Sequence, residues 1–238
     1  MIQFYNPKIE VDSILPADEG AHAIRVLRKK EGDIVMVTDG VGHRFACRLL
    51  STNYRVIPVE ILSKEDVPKT WNNRITIAVA PTKHLDRMEW FVEKAVEIGV
   101  DRIVLLGCRH SERRIMKIDR LKKIMVSAMK QSLKTVLPEI TELMPLSEFL
   151  GTVAEGDLKY LGYCDSNYPL KSFVNEYRHG SDVTILIGPE GDFSQAEVSD
   201  AVAAGFVPVT FGDTRLRTET AALYGVQSVH IINQMSNL

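Results

Sequence analysis

The stretch VTILIGPEGDFS, Val183–Ser194, decides the fold of this chain. Its first five residues are apolar apart from one threonine, which predicts a strand buried on both faces, as in a parallel sheet. The strand runs into Gly188-Pro189-Glu190-Gly191, where glycine permits a sharp turn and close approach of a ligand to the main chain. Ser194 and Glu197 then form a capping-box pattern that predicts the start of a helix. Open α/β sheets bind ligands at such a strand, turn and helix start.

A second turn of the same kind follows the next predicted strand. Residues Phe206–Phe211 alternate as a strand does, and the run GDTRLRTETAA, Gly212–Ala222, leads from it into a closing helix. Two ligand-type turns on successive strands indicate a ligand site more strongly than one turn does.

The two turns together resemble a known family. IGPEG followed by G-x-x-x-L-R-x-E-T-A is similar to the paired signature of the small-subunit (16S) ribosomal RNA uridine-N3 methyltransferases. These enzymes belong to the SPOUT superfamily, which binds S-adenosylmethionine in a deep trefoil knot. The chain departs from the family pattern at Asp192, where a second glycine is usual, and at Lys130–Lys134, KQSLK, where the family has E-Q-S-x-R.

Bulk composition is that of a globular protein, with 238 residues, 45% hydrophobic and 25% charged. No apolar run approaches the roughly 20 residues needed to span a bilayer, and the N-terminus has no pattern of a secretory signal. The three cysteines are far apart in sequence, which is typical of reduced thiols in a cytosolic protein. We therefore expect a cytoplasmic protein with no membrane partner.

Several other classes of protein lack their motifs here. The chain has no G-x-G-x-x-G, no Walker A run and no G-x-S-x-G elbow, so dinucleotide, P-loop and α/β-hydrolase sites are not indicated. The six histidines are scattered without metal-ligand spacing, so no metal is expected.

Charge is unevenly distributed along the chain despite a formal net charge of -2. The segment Arg102–Lys134 carries ten lysines and arginines against two acids. Such an excess is expected of a face that contacts phosphates, although a solvated helix surface would give the same pattern.

Two domains are predicted. Residues 1–68 are predicted to form a small strand-rich barrel with a hairpin turn at Asp39-Gly40. Within it, Ala21–Arg28 is predicted to form a helix. The run H-x-x-x-V-L-R, His22–Arg28, resembles the PUA-like RNA-binding domain of the same family.

A polar linker is predicted over Ser63–Asn73. Strands and helices then alternate through residues 69–238, which predicts a mostly parallel sheet with helices on both faces. Only the resemblance implies a C-terminal trefoil knot, so the expected fold is a SPOUT α/β-knot domain preceded by a PUA-like β-barrel.

The resemblance implies where S-adenosylmethionine would bind. Rigid turns with exposed main chain suit this cofactor, since its adenine can be recognised by backbone N–H and C=O groups. The residues expected to bind it are Leu161, Gly162, Gly188, Pro189, Glu190, Gly191, Phe211, Gly212, Leu216, Arg217, Thr218, Thr220 and Ala221.

Three charged residues in the turns are candidates for catalysis. Arg217 precedes a helix, where a cation is electrostatically unfavourable, which indicates retention for a ligand. Glu219 suits the first turn of any helix, and Glu190 could contact a ligand or stabilise its turn. The residues expected to contact RNA are His22, Arg25, Arg28, Lys83, Arg109, Arg113, Arg114, Lys130, Gln131 and Ser132.

The resemblance implies a homodimeric, S-adenosylmethionine-dependent methyltransferase acting on N3 of a uridine in 16S rRNA, within the small ribosomal subunit. Two alternatives remain open at this point: a SPOUT enzyme that methylates a ribose 2′-oxygen, and a non-catalytic RNA-binding module. The intact LRTETA run favours catalysis over binding alone.

Overall fold

The computed structural model describes residues 2–164 and 169–236. They form two compact units, of which the first comprises Met1–Trp71 with Val126–Leu137 and the second Asn72–Met125 with Pro138–Leu238. No helix in the described part of the chain is long and apolar enough to cross a membrane.

The first unit is built on a mixed sheet. Its elements in chain order are β1 Gln3–Tyr5, α1 Ile9–Asp12, β2 Ile14–Leu15, α2 Ala17–Ala21, a π-helix His22–Val26, β3 Ile34–Thr38, β4 His43–Leu49 and β5 Ile57–Asp66. The strand order is β1-β3-β4-β5-β2, in which β1 and β3 are parallel and the other neighbours antiparallel. Alternate residues of β4, Phe45, Cys47 and Leu49, are fully buried, as expected for a sheet with one face on the core.

Three local predictions for the first unit are wrong in detail. The helix expected over Ala21–Arg28 begins earlier, at Ala17, and continues as a π-helix to Val26. The segment from Ser63 to Asp66, expected to be linker, is part of strand β5, because it pairs with the first residues of β4. Pro58 predicts a sheet edge or a bulge at its own position, but Pro58 pairs with Ile14, and the bulge lies on β5 at Leu62, opposite the step from Ala46 to Cys47.

The second unit alternates strands and helices. Its elements are β6 Ile75–Val79, α3 Leu85–Ile98, β7 Arg102–Gly107, α4 Ile118–Gln131, β8 Glu139–Ile140, β9 Met144–Pro145, α5 Leu146–Leu150, β10 Leu158–Gly162, β11 Lys171–Ser172, α6 Phe173–Glu176, β12 Val183–Ile187, α7 Gln195–Ala203, β13 Val207–Thr210 and α8 Thr218–Met235. The last part of α4, from Val126, belongs to the first unit.

The sheet of the second unit is parallel in each of its pairings, in the order β11-β13-β10-β12-β6-β7-β8, with β9 also pairing with β7. β12 lies between β10 and β6, and its five residues are buried, as the apolar run predicts. The predicted capping box is confirmed, since the Ser194 side chain accepts from the Glu197 N–H while the Glu197 side chain accepts from the Ser194 N–H. The turn after β12 is therefore fixed at both ends.

Candidate active site

A cavity of the second unit opens where three neighbouring strands end. Its volume is about 840 Å³, within the range of roughly 300–1,000 Å³ common for cofactor sites. The lining comes from the carboxyl ends of β10, β12 and β13, the turns that follow them and the first turn of α8, with one residue from α3. The lining residues are Arg87, Gly162, Tyr163, Cys164, Leu170, Ile187, Gly188, Pro189, Glu190, Asp192, Thr210, Phe211, Gly212, Asp213, Thr214, Arg215, Leu216, Arg217, Thr218 and Ala221.

Strand register brings the turns to the same level. Gly162, the last residue of β10, pairs with Ile187 on one side and Val209 on the other. A Cβ on Gly162 would lie 2.8 Å from Phe211 Cε2 and 3.0 Å from Ile187 Cδ1, so a side chain has no room there. This glycine allows Phe211 to close over the end of β10.

One hydrogen bond joins the two turns that the sequence singles out. The buried Thr218 hydroxyl donates to the Gly188 carbonyl oxygen over 3.0 Å. Thr218 is the first residue of α8 and Gly188 follows β12, so this bond fixes the start of the closing helix against the first turn.

The catalytic candidates differ in their surroundings. Arg217 is the N-cap residue of α8, is exposed and lines the cavity. Glu190 also lines the cavity, and its Oε1 accepts from the Lys83 N–H at 3.0 Å. Glu219 is buried, with its Oε1 3.8 Å from Arg87 Nε. An exposed cation, a hydrogen-bonded carboxylate and a partly buried ion pair therefore lie at one end of the sheet.

Three of the expected cofactor residues do not line the cavity. Leu161 is fully buried in the sheet, and Thr220 is exposed on α8. A Cβ on Gly191 would meet His110 Cβ at 3.2 Å, so the close approach at this glycine is to a neighbouring loop and not to a ligand. The other expected cofactor residues, Gly162, Gly188, Pro189, Glu190, Phe211, Gly212, Leu216, Arg217, Thr218 and Ala221, line it together.

Sequence reasoning missed Arg87 because it lies about one hundred residues before the signature turns, in a helix with ordinary amphipathic spacing. It also missed Tyr163 and Cys164, although both directly follow Gly162. Burial raises the pKa of the Cys164 thiol, and nearby Asp192 adds to that effect while Arg215 opposes it. Cys164 is therefore mainly a neutral thiol at the cavity wall.

The predicted RNA residues of the second unit surround the loops beside the cavity. The Arg113 guanidinium donates to the carbonyl oxygens of Thr82 and Lys83, at 3.2 and 2.6 Å. Arg113 is thus occupied in holding this loop, which limits what it can offer a phosphate. Arg109 and Arg114 are exposed, and Lys83 Nζ pairs with Glu112 at 2.9 Å.

The remaining RNA candidates lie in the first unit. Lys130 pairs with Glu19, a buried acid whose pKa is raised mainly by burial and is lowered in part by Lys130 and His22. The Arg25 guanidinium lies over the Tyr54 ring, 3.8 Å from its centroid. Arg28 and Gln131 are exposed, while the Ser132 hydroxyl donates to the Ala128 carbonyl oxygen. The basic segment Arg102–Lys134 is therefore divided between the two units.

The donor set of the cavity suits S-adenosylmethionine. Apolar side chains (Leu170, Phe211 and Leu216) accompany main chain at Gly188 and Gly212, as an adenine ring requires. No group of three or more His, Cys, Asp or Glu side chains that could hold a metal occurs among residues 2–164 and 169–236.

A cavity lined by main chain, apolar side chains and charged side chains at the carboxyl ends of parallel strands defines an α/β protein with a site for an organic ligand. A family model described as RNA methyltransferase domain matches residues 69–230, and one described as RNA methyltransferase PUA domain matches residues 15–53. The chain belongs to the RNA methyltransferase family, which confirms the resemblance drawn from the two turns and the PUA-like domain expected before them.

Relatives cover nearly the whole chain. The Bacillus subtilis (strain 168) protein named ribosomal RNA small subunit methyltransferase E is 24% identical over 229 residues, 90% of this chain and 88% of the relative. The crystal structure of a probable rRNA-methyltransferase from Porphyromonas gingivalis has a TM-score of 0.95 and 43% identity, covering 99% of this chain and 100% of that one. A ribosomal RNA small subunit methyltransferase E from Neisseria gonorrhoeae, bound to S-adenosyl methionine, has a TM-score of 0.87 and 26% identity, covering 98% of each chain.

Proposed function

We propose that this protein transfers a methyl group from S-adenosylmethionine to N3 of a uridine in small-subunit 16S ribosomal RNA. The observation that carries the proposal is the cavity at the ends of β10, β12 and β13, built from both signature turns and joined by the Thr218–Gly188 hydrogen bond. Relatives over nearly the full length are named for methylation of small-subunit ribosomal RNA, and one is bound to the cofactor.

The cofactor supplies an electrophilic methyl group when bound. Gly188–Glu190, the residues from Phe211 to Thr218 and Gly162 would hold it, because they present main chain and side chains to one cavity. Leu161 and Gly191 would support this site from behind its lining.

The chain's own task is to make N3 nucleophilic. Uracil N3 carries a proton in the neutral base, and once that proton has passed to solvent the remaining anion spreads its charge over the two flanking carbonyl oxygens. Arg217 lines the cavity and stays charged at any working pH, so it would stabilise that anion. Glu190, which also lines the cavity, and Glu219, which is buried beside Arg87, are the further catalytic candidates.

The remaining features of the family belong to the proposal. The second domain, residues 69–238, would contain a C-terminal trefoil knot, and residues 1–68 would form the PUA-like RNA-binding domain. The active form would be a cytoplasmic homodimer that acts on 16S rRNA within the small subunit. Exposed apolar side chains on α8, at Tyr224 and Ile231, are consistent with a covered helix face.

The test is methyl transfer with labelled S-adenosylmethionine to undermethylated small subunits, followed by nucleoside mass spectrometry. Label in 3-methyluridine is expected. Label in a 2′-O-methylated nucleoside would assign the protein to the other SPOUT reaction, and binding of subunits without any transfer would leave an RNA-binding module. Arg217→Ala should lose about a hundredfold or more in single-turnover rate, by analogy with oxyanion donors, and should weaken the binding of cofactor and RNA by a smaller factor.

A further inference from the structure

Arg87 and Glu219 form an ion pair at the cavity that the signature turns do not explain. Arg87, near the start of α3, lines the cavity, and its side chain is 31% exposed. Glu219, near the start of α8, has a side chain that is only 9% exposed. Arg87 Nε lies 3.8 Å from Glu219 Oε1, so the acid is close enough to orient the guanidinium.

The carboxylate of Glu219 is incompletely satisfied. Its second oxygen, Oε2, is buried and has no hydrogen-bond partner among the described residues. Burying such an oxygen without a donor destabilises the folded protein, and more so when the oxygen is charged. An acid kept at this cost beside an arginine that faces a cavity is typical of a site that is completed by a ligand.

The position of Arg87 indicates which ligand it serves. The cofactor turns follow β10, β12 and β13, whereas Arg87 comes from α3, directly after the loop of residues 82–84. That loop binds Glu190 through the Lys83 N–H and Arg113 through two carbonyl oxygens. Arg87 therefore lies where the cavity meets the loops that are expected to contact RNA, which favours the target base over the cofactor.

We propose that Arg87 binds a carbonyl oxygen of the target uracil and that Glu219 is the positioning residue that holds its guanidinium in place. The inference rests on the proposed N3 methylation and deepens it. The anion at N3 has two flanking oxygens, and two arginines, Arg217 at the N-cap of α8 and Arg87 on α3, line the same cavity. Each arginine can bind one carbonyl oxygen, so the negative charge that develops on the base is stabilised from two sides of the ring.

The experiment compares Arg87→Ala, Arg87→Lys and Glu219→Gln with wild type in single-turnover transfer at saturating RNA and cofactor, across a range of pH. Lys94→Ala is the matched control, because Lys94 is also an ion-paired cation of α3, bound to Glu93 and Glu97, and does not line the cavity. Calorimetry measures S-adenosylmethionine affinity for each variant. Added methylguanidine tests chemical rescue of Arg87→Ala.

We expect Arg87→Ala to lose about a hundredfold in rate, as for a lost oxyanion donor, with cofactor affinity unchanged. In the plot of rate against pH, the rise that reflects ionisation of the target base should move to a pH about one unit higher in Arg87→Ala. The reason is that a nearby cation lowers the pKa of the base by about that amount. Methylguanidine should restore part of the rate of Arg87→Ala, and Arg87→Lys should retain part of the wild-type rate. The rate of Glu219→Gln should lie between those of Arg87→Ala and wild type, and the rate of Lys94→Ala should match wild type.

Two results would overturn the inference. If Arg87→Ala has the rate and the pH–rate profile of wild type, the Arg87 guanidinium does not contact the base. Weakened cofactor binding, with a normal rate once cofactor is saturating, would place it on the cofactor carboxylate instead. A variant that folds poorly would still be judged by Arg87→Lys and Glu219→Gln. Failure of wild type to form 3-methyluridine would sink the proposed function itself, which is a different outcome.

Discussion

Asp192 adopts a backbone conformation that glycine tolerates best. Its φ is 61°, in the left-handed region, at the position where the family usually has a second glycine. The Asp192 side chain accepts from the Phe193 N–H at 2.8 Å, which offsets part of the conformational cost. The departure from the family pattern is therefore a substitution that keeps the turn.

This predicts the order of stability of two variants. Asp192→Ala loses the side-chain acceptor and keeps a Cβ at positive φ, whereas Asp192→Gly removes the Cβ. We expect the alanine variant to be less stable than the glycine variant by about 1 kcal/mol in urea unfolding. Gly156→Ala is the control, since a Cβ there would meet no atom within 4 Å. Equal stability of the two Asp192 variants would mean that the turn relaxes freely.

At the scale of elements, an ion pair joins α2 to the last turn of α4 within the first unit. Lys130 Nζ contacts Glu19 Oε1, and the two side chains are 21% and 7% exposed. Burial is the main cause of the raised pKa of Glu19, and Lys130 is the main group that opposes it. Lys130, expected from the sequence to contact RNA, is thus also needed to neutralise a buried acid.

Lys130→Ala should lower the free energy of unfolding at pH 7.5 by about 2 kcal/mol, somewhat less than for a fully buried pair because the lysine is partly exposed. Without Lys130 the pKa of Glu19 rises further in the folded protein. The folded state then binds the proton more tightly than the unfolded state, so the deficit should shrink as the pH falls toward 5. Urea unfolding at both pH values measures this.

Two comparisons make that prediction specific. Lys64→Ala breaks an exposed pair with Glu10 and should cost less than 1 kcal/mol, roughly, at either pH. The double change Lys130→Ala with Glu19→Gln should recover most of the loss. A deficit that stays the same at pH 5 would contradict the role given to Glu19.

Elements of the second unit could be predicted from sequence because their signals are local. The apolar run of β12 and the Ser194–Glu197 capping box are complete within a few residues, and both occur in the structure. β5 extends beyond the predicted strand because pairing with β4 stabilises its polar end, and no local pattern reports that partner. Arg87 was missed for the same reason, since only the folded chain brings it to Glu219.

At the scale of the whole molecule, RNA binding should depend on exposed arginines more than on an arginine whose guanidinium holds a loop. Arg109 and Arg114 are exposed, whereas Arg113 is bound to carbonyl oxygens. Changing Arg109 and Arg114 to alanine should flatten the log–log salt dependence of RNA binding by about 0.7–0.9 per lost phosphate contact. Cofactor affinity should not change.

Filter binding over a series of salt concentrations measures the slope. Arg120→Ala serves as the control, because Arg120 is exposed but paired with Glu89 on α3. A slope unchanged in the Arg109/Arg114 variant would show that these arginines only solvate their loop. A slope that changes equally in the control would show a general effect of charge instead of a contact.

The place of β12 in the sheet has a consequence for how the protein is made. β12 occupies the gap between β6 and β10, with Ile77 paired to Ile185 across more than one hundred residues of chain. During translation β6, β7 and β10 leave the ribosome before the strand that joins them. The nascent chain therefore exposes two open strand edges, each able to pair with another chain. We expect this stage, and not the finished enzyme, to be the one that depends on chaperones.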